Sequence, residues 1–182
     1  MTDLLKTPRL VLRPPRERDL PALAGLLNNW LIAKNLRRVP YPYALDDAHR
    51  SLAFTKTIDP RSRMFAITLR DAIIGVIGYE TGKTADAGEI GYWLAEQFWG
   101  RGFMREAASA MLSHAFMVAK HDRLVACHQH GNEGSRRVLL GLGFRHTGHG
   151  TSFSAAQRRA VDVAWLELTR KEWLRERQGE AR

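Results

Sequence analysis

Cysteine is almost absent from this chain, with Cys127 as the one example among 182 residues. A single thiol cannot form a disulfide within the chain, nor can it supply the several thiolates of a cysteine-rich zinc site. Long apolar runs are also missing, since no stretch approaches the roughly 20 apolar residues that span a bilayer. The first residues, MTDLLKTPRL, carry Asp3 and Pro8 where a signal peptide needs an apolar run. These absences predict a cytoplasmic protein without a membrane segment.

Positive charge is in excess, with 28 Lys and Arg against 19 Asp and Glu and a net charge of +9. The same Coulomb attraction would serve nucleic acid, a phosphorylated cofactor or an acidic substrate, so charge alone leaves the partner open. A chain with 45% hydrophobic and 26% charged residues has the balance of one globular domain. No repeat or linker divides it, so we expect a single domain over residues 1–182.

Alternating and helical periodicities along the chain predict an α+β fold. Asp19 and Asp46 are placed to cap two helices that follow a first strand at 10–12, and the segment 29–42 between them is predicted to be irregular. The remaining segments are predicted strands at 64–69, 72–80, 89–96, 123–129 and 161–168, and predicted helices at 103–119 and 135–143. We expect a mixed, mostly antiparallel twisted sheet of six to seven strands, flanked by helices.

The segment QFWGRGFM, residues 97–104, joins a predicted strand to a predicted helix and contains Gly100 and Gly102. Glycine lets backbone amides approach a ligand without a side chain in the way. The helix N-terminus adds unpaired N–H groups and partial positive charge, while Arg101 and Arg105 add full charges. The segment therefore predicts an anion site, with a simple glycine-containing turn as the alternative. The patterns GxxxxGK[ST] and GxGxxG are both absent, which disfavours nucleoside triphosphates and NAD.

A second block, with Asn132, Ser135 and VLLGLGF, follows another predicted strand. Together the two blocks resemble the GCN5-related N-acetyltransferase (GNAT) superfamily, whose coenzyme A signature Q/R-x-x-G-x-G/A is met by Gln97, Gly100 and Gly102. The chain is most similar to the RimJ/RimL branch of that superfamily, and the likeness covers nearly its whole length. The segments that carry this likeness are TPRLVLRPPRERDL, EIGYWLAEQFWGRGF, RLVACHQHGNEGSRRVLLGLGF and VDVAWLELTRKEW.

The resemblance implies that acetyl-CoA is the cosubstrate, without a metal, and that a primary amine attacks it directly in a ternary complex. It implies a mostly antiparallel GNAT-like sheet in which two parallel strands, here 89–95 and 123–129, splay apart to admit the pantetheine. Met104 stands where a small residue is usual, which bears on cofactor packing. The implied cofactor-binding residues are Leu94, Ala95, Gln97, Gly100, Arg101, Gly102, Phe103, Met104, Asn132 and Arg137.

Glu89 and Ser135 are the candidate catalytic residues. Glu89 lies on the strand whose far end is expected to hold the thioester, so it could take a proton from the amine directly or through a water. Strand alternation predicts that Glu89 and Tyr92 lie on opposite faces of this strand. A glutamate at a strand edge is otherwise merely solvated. By the resemblance, Ser135 protonates the leaving thiolate; as an alternative or in addition, it caps a helix at 136–142. An α-amine with a pKa of about 7.7–8.0 needs less help from a base than a lysine near 10.4.

The acceptor is expected to be a protein N-terminal α-amine or a small-molecule amine, in a groove built by the irregular region 29–60 and the loop 146–160. Cys127 fits core packing better than nucleophilic catalysis, and His128 and His130 lack further ligands at a convincing spacing for a metal. The alternative function is a non-catalytic acyl-CoA sensor or a basic module associated with nucleic acid, although nucleic acid is disfavoured as a partner. A homodimer is left open.

Overall fold

A computed structural model describes residues 4–55, 59, 61–82 and 87–180 of the chain. Its eight strands are β1 Leu5–Lys6, β2 Val11–Arg13, β3 Arg63–Leu69, β4 Ala72–Thr81, β5 Ala87–Leu94, β6 Arg123–Gln129, β7 Arg145–Ser154 and β8 Arg159–Thr169. They form one sheet in the order β1-β2-β3-β4-β5-β6-β8-β7. The predicted α+β class is confirmed, but the sheet has one strand more than the expected maximum of seven. The two-residue β1 is too short to show an alternating pattern.

The helices cover both faces of this sheet. They are α1 Leu20–Leu27, α2 Trp30–Ala33, α3 Leu45–Phe54, α4 Phe103–Met117, α5 Glu133–Leu140 and α6 Arg170–Glu180. On one face, α1, α2 and α3 share an apolar cluster with Ile73 and Val76 of β4 and Trp93 of β5. On the other face, α4, α5 and α6 share the larger apolar cluster. Among the described residues, no helix has the length and apolar content required to cross a bilayer.

One predicted helix cap is confirmed in position and the other is wrong. Asp19 is the N-cap residue of α1, but its carboxylate makes no capping bond there and instead accepts two hydrogen bonds from the Arg13 guanidinium at 2.7 and 2.8 Å. These bonds lower the pKa of Asp19. Asp46 lies inside α3, and Asp47 is the acidic residue that accepts a bond from the Ala44 N–H at 2.8 Å. An acidic residue at the third helical position reaches back to the chain before the helix, and sequence spacing alone does not separate it from a cap.

The splayed parallel strands that the resemblance implied are present. Three residues of β5 pair in parallel with β6, namely Ala87 with Arg123, Gly88 with Leu124 and Glu89 with Val125. Within the described residues, Glu89 and Val125 are the last pair. Both strands continue beyond that point, so a gap opens between their C-terminal halves. Every other neighbouring pair in the sheet is antiparallel.

Two histidines are buried, His114 within α4 and His121 just after it. His121 is fully buried, and neither of its ring nitrogens has a hydrogen-bond partner among the described residues. The Nδ1 atom of His114 lies 2.9 Å from the Tyr79 hydroxyl. Burial lowers the pKa of both histidines, because a charged ring would lose its hydration. Folding therefore favours the neutral form of both rings.

Acidification from about pH 7.5 to about pH 5.5 is expected to lower the free energy of unfolding. Below the ordinary histidine pKa of about 6.5, the unfolded chain binds protons that the folded chain does not, so stability falls with pH until the lowered folded pKa is reached. Each histidine contributes up to about 1.4 kcal/mol per pH unit in that window. Urea unfolding at several pH values measures the slope. His121→Leu should flatten it, and an unchanged slope in that variant would contradict the assignment.

Candidate active site

The predicted glycine loop leads directly into α4. Gly100 and Gly102 have φ angles of 71° and 76°, in the left-handed region that other residues rarely adopt. Gly102 immediately precedes the helix and Phe103 begins it, so the first-turn amides of α4 lie just beyond the loop. Both glycines, together with Phe103 and Met104, line the same cavity. The backbone here has the form of an anion cradle at a helix N-terminus.

Arg9, which the sequence did not single out, holds this loop in place. Its Nη1 donates to the Arg101 carbonyl at 3.0 Å, and its Nε donates to the Glu106 carboxylate at 2.6 Å. The guanidinium carbons of Arg9 and Arg101 lie 4.5 and 5.0 Å from the Phe103 ring centroid. Glu106 also accepts from the Thr7 hydroxyl at 2.6 Å. The first turn of α4 is thus tied to the segment before β2, and two cations flank the loop.

Asn132 caps α5, and Ser135 lies in the first turn of that helix. The Asn132 Oδ1 accepts a hydrogen bond from the Ser135 N–H at 3.2 Å. The alternative in which Ser135 is the cap is therefore wrong, because the preceding amide side chain already fills that position. The Ser135 hydroxyl instead lies 3.0 Å from the Tyr92 hydroxyl on β5. Asn132, Ser135 and Arg137 all line the cavity.

Alternate backbone groups of β5 face the gap between β5 and β6. The Ala95 N–H donates to the Ile74 carbonyl of β4 at 2.8 Å, so it is engaged within the sheet. In an antiparallel pair the backbone groups of successive residues point to opposite sides, which directs those of Tyr92 and Leu94 towards β6. The Leu94 carbonyl already accepts from the Trp99 indole at 2.7 Å. Of the two predicted backbone contacts, the geometry leaves the Leu94 N–H facing the gap.

The gap opens into a cavity of about 1410 Å³. One end is formed by the glycine loop and α5. The other is formed by α1, α2 and α3, together with the face of β4 and β5 that these helices cover. Of the predicted site residues, Ala95, Gln97 and Arg101 are outside the lining that the described residues provide. Those that line it are Glu89, Leu94, Gly100, Gly102, Phe103, Met104, Asn132, Ser135 and Arg137.

Glu89 points to the opposite face of β5 from Tyr92 and forms an ion pair with Arg37. Its cross-strand neighbour on β4 is Glu80, which pairs with Arg38. Two carboxylates placed opposite each other repel, and the consecutive arginines offset that repulsion. Sequence reasoning found Glu89 but missed both arginines. The only available signal was their adjacency in a segment without periodicity.

The acceptor side of the cavity is more regular than predicted. The segment 29–42 contains the short helix α2, whose start is capped by the Asn29 side chain accepting from the Leu31 N–H at 2.8 Å. The region 146–160, expected to be a loop, forms most of the hairpin of β7 and β8. Within the predicted groove region 29–60, residues 56–58 and 60 lie outside the described residues.

A set of amide contacts fastens this wall to β6. The Lys34 carbonyl at the end of α2 accepts from the Gln129 side chain at 2.7 Å and from the Gln157 side chain at 2.9 Å. The Arg37 carbonyl accepts from the Ala155 N–H of the hairpin turn at 2.9 Å. These contacts fix the segment that carries Arg37, and so they fix where Arg37 meets Glu89.

Cys127, His128 and His130, the other polar residues considered for catalysis or metal binding, are each accounted for by their surroundings. Burial raises the pKa of the Cys127 thiol, which disfavours the thiolate that a nucleophilic cysteine needs. The Nδ1 of buried His128 lies 3.0 Å from the Gln129 carbonyl, and the Nε2 of His130 lies 3.3 Å from the Nδ1 of His149. Within the described part of the chain, no group of three or more His, Cys, Asp or Glu side chains is arranged to hold a metal ion.

This chain matches a family profile and related sequences that are named as acetyltransferases, and a solved structure of the same fold. The sequence profile of the acetyltransferase (GNAT) domain matches residues 9–145. The uncharacterized N-acetyltransferase p20 of Bacillus licheniformis is 25% identical over 180 residues, covering 94% of this chain and 98% of the relative. The ribosomal-protein-serine acetyltransferase of Escherichia coli K12 is 28% identical over 153 residues, covering 79% and 84%. Mycobacterium smegmatis RimJ, solved in complex with CoA-disulfide, has a TM-score of 0.79 at 23% identity, covering 93% and 87%.

Proposed function

Since the chain belongs to the GNAT acetyltransferase family, we propose that it moves the acetyl group of acetyl-CoA to a primary amine by direct attack in a ternary complex. The observation that carries this proposal is the gap between β5 and β6, which opens after Glu89 and Val125. The glycine loop and α5 lie at one end of the cavity, and the Arg37–Glu89 pair lies at the other. The nucleotide of acetyl-CoA would lie at the end with the glycine loop. The amine would reach the thioester in the gap from the other end, where Glu89 lies.

The residues present fit an acyl-CoA. The first-turn amides after Gly102 and the guanidinium of Arg101 would hold the pyrophosphate, since helix N-termini and arginine both favour phosphate oxygens. Gln97 and Arg101 lie outside the cavity lining, so their contacts would form at its rim. The Leu94 N–H would donate to the thioester carbonyl, a bond that strengthens as negative charge develops on that oxygen. Asn132 supports this site by capping α5 and so fixing Ser135.

The two proposed catalytic groups approach β5 from opposite faces, since Glu89 is on one face and Ser135 contacts Tyr92 on the other. Glu89 would accept the proton that the amine loses, directly or through a water. Ser135 would donate to the sulfur as the carbon–sulfur bond breaks. Arg37 holds the Glu89 carboxylate in place until an acceptor enters, because its guanidinium donates a hydrogen bond to one of the two carboxylate oxygens.

The acceptor is proposed to be a protein N-terminal α-amine or a small-molecule amine. The E. coli relative is named a ribosomal-protein-serine acetyltransferase, and this supports the first class. An α-amine also has a larger neutral fraction near pH 7 than a lysine side chain. The test is a competition between a peptide with a free N-terminus and no lysine, the same peptide blocked at its N-terminus with one lysine, and a small alkylamine. The substrate that carries the labelled acetyl group identifies the class of acceptor. Absence of label from both peptides and from the alkylamine would contradict the proposal.

Glu89→Gln is expected to lower kcat/KM for an α-amine by at least about 10-fold near pH 7, because a positioned base contributes to proton removal. The loss should shrink as pH rises past the amine pKa, where the amine is neutral without help. Initial rates of thiol release from pH 6.5 to about pH 9 measure this. Glu80→Gln is the matched comparison, since it removes the neighbouring carboxylate. Equal losses in both variants would attribute the effect to the charge cluster instead of a base.

A further inference from the structure

Tyr92 bridges the gap that separates β5 from β6. It lies three positions beyond Glu89, the last residue of β5 that pairs with β6, and its side chain reaches the first turn of α5. Its hydroxyl lies 3.0 Å from the Ser135 Oγ and 3.4 Å from the Ser135 carbonyl oxygen. Burial raises the pKa of Tyr92 to about 12, so the phenol keeps its proton throughout the pH range in which amines are acetylated. A permanent donor therefore lies beside the proposed acid.

The hydroxyl of Ser135 has one hydrogen to give and two lone pairs to accept with. When Tyr92 donates to the Ser135 Oγ, the hydrogen of Ser135 is left to point into the cavity. When Tyr92 donates to the carbonyl oxygen instead, the Ser135 hydrogen can turn back to the phenol oxygen. The backbone of Ser135 is fixed by Asn132, so the direction of its hydrogen is the remaining freedom. The first arrangement is the one that can serve a leaving sulfur.

We propose that Tyr92 is a positioning residue, whose hydroxyl reaches across the gap to the Ser135 Oγ and directs the Ser135 hydrogen at the leaving sulfur. This inference rests on the proposed role of Ser135. In the step, a nitrogen–carbon bond forms and the carbon–sulfur bond breaks. One proton leaves the neutral amine for Glu89, which then releases it to solvent. One proton reaches the sulfur from Ser135, which regains a proton from solvent, so the two exchanges with solvent cancel. Tyr92 keeps its own proton throughout.

A double-mutant cycle tests the proposal. Tyr92→Phe keeps the ring and removes the hydroxyl, and it is expected to lower kcat roughly 10-fold, the worth of one well-placed hydrogen bond. The affinity for acetyl-CoA should stay within about twofold, because the phenol does not touch the cofactor in this account. In a Ser135→Ala background the same substitution should cost less than about twofold, since there is no hydrogen left to direct.

A purely structural role would give a different pattern. If the phenol only joined β5 to α5 through the Ser135 carbonyl, Tyr92→Phe would cost the same with and without the Ser135 hydroxyl. If it only joined them through the Ser135 Oγ, Tyr92→Phe would lower the melting temperature and weaken acetyl-CoA binding along with kcat. Either result would overturn the proposal. Tyr79→Phe is the matched control, because Tyr79 is also buried, its pKa is also raised to about 12, and its hydroxyl bonds to His114 away from α5. It should keep the wild-type kcat. Thermal melts of both variants compare the cost of losing a buried hydroxyl.

The outcomes also separate this inference from the function on which it depends. Full turnover in Ser135→Ala would remove the acid, and the role of Tyr92 would fall with it. A loss in Ser135→Ala with wild-type kcat in Tyr92→Phe would overturn the role of Tyr92 alone and leave acyl transfer untouched. A loss in both, without additivity, is the predicted result.

Discussion

Gly102→Glu is expected to raise the Kd for acetyl-CoA by at least about 100-fold, through the loss of charge-assisted contacts worth roughly 3 kcal/mol. The backbone at this position has a φ of 76°, and Gly102 immediately precedes α4. A glutamate here would place a carboxylate beside the amides proposed to hold the pyrophosphate. It would satisfy them itself and repel the phosphate charges. Isothermal titration with acetyl-CoA measures the change.

Gly102→Ala is the matched control for that experiment. It imposes the same left-handed backbone on a residue with a Cβ, and the nearest atom to that Cβ would be an Arg9 nitrogen at 3.4 Å. Its Kd is expected to rise less than about 10-fold, since the backbone strain of roughly 1–2 kcal/mol is present in the free and the bound protein alike and lowers stability instead of affinity. Melting temperatures of the two variants should be similar. If both variants bind acetyl-CoA equally well, the loop is not the phosphate site.

Ser135→Ala is expected to reduce kcat by roughly 10²- to 10³-fold, the range in which a general acid contributes. The Kd for acetyl-CoA should change little, because the hydroxyl is proposed to act only as the sulfur leaves. Folding should be spared as well, since Asn132 provides the cap of α5. Single-turnover release of free thiol, with binding measured separately, gives both quantities.

Ser113→Ala provides the comparison for this substitution. Ser113 lies on α4, where its hydroxyl contacts the Ser109 carbonyl at 3.2 Å and Arg177 at 3.1 Å, away from the gap. It should retain the wild-type rate, which would show that losing a helical serine hydroxyl is not damaging in itself. Wild-type turnover in Ser135→Ala as well would leave the thiolate without its proposed acid and assign its protonation to solvent.

The features predicted correctly from the sequence are those that depend on neighbouring residues. The glycine loop could be recognised because Gly100 and Gly102 sit between a strand pattern and a helix pattern, and both indeed adopt positive φ. The long helix from Phe103 was predicted from apolar residues at three and four spacings, and it ends two residues earlier than expected, at Met117. Strand alternation also placed Glu89 and Tyr92 on opposite faces of β5.

The features that were missed depend on residues far apart in the chain. Arg9 and Glu106 are 97 positions apart, Arg37 and Glu89 are 52 apart, and Tyr92 and Ser135 are 43 apart. Each pair forms only when the sheet and its helices are assembled, so no local pattern marks it. The predicted amide contact at Ala95 had the same difficulty, because its N–H is taken by Ile74 of a neighbouring strand.

The central claim is acetyl transfer from acetyl-CoA to an amine without a covalent intermediate. The most direct measurement is a single turnover with acetyl-CoA carrying a deuterated acetyl group, followed by mass spectrometry of protein, thiol and amine together. The account predicts equal amounts of free CoA thiol and labelled N-acetyl product, formed only when the amine is present, with no label on Cys127 or elsewhere on the protein. Binding of acetyl-CoA without label in any amine, or label that appears first on the protein and then moves to the amine, would contradict it.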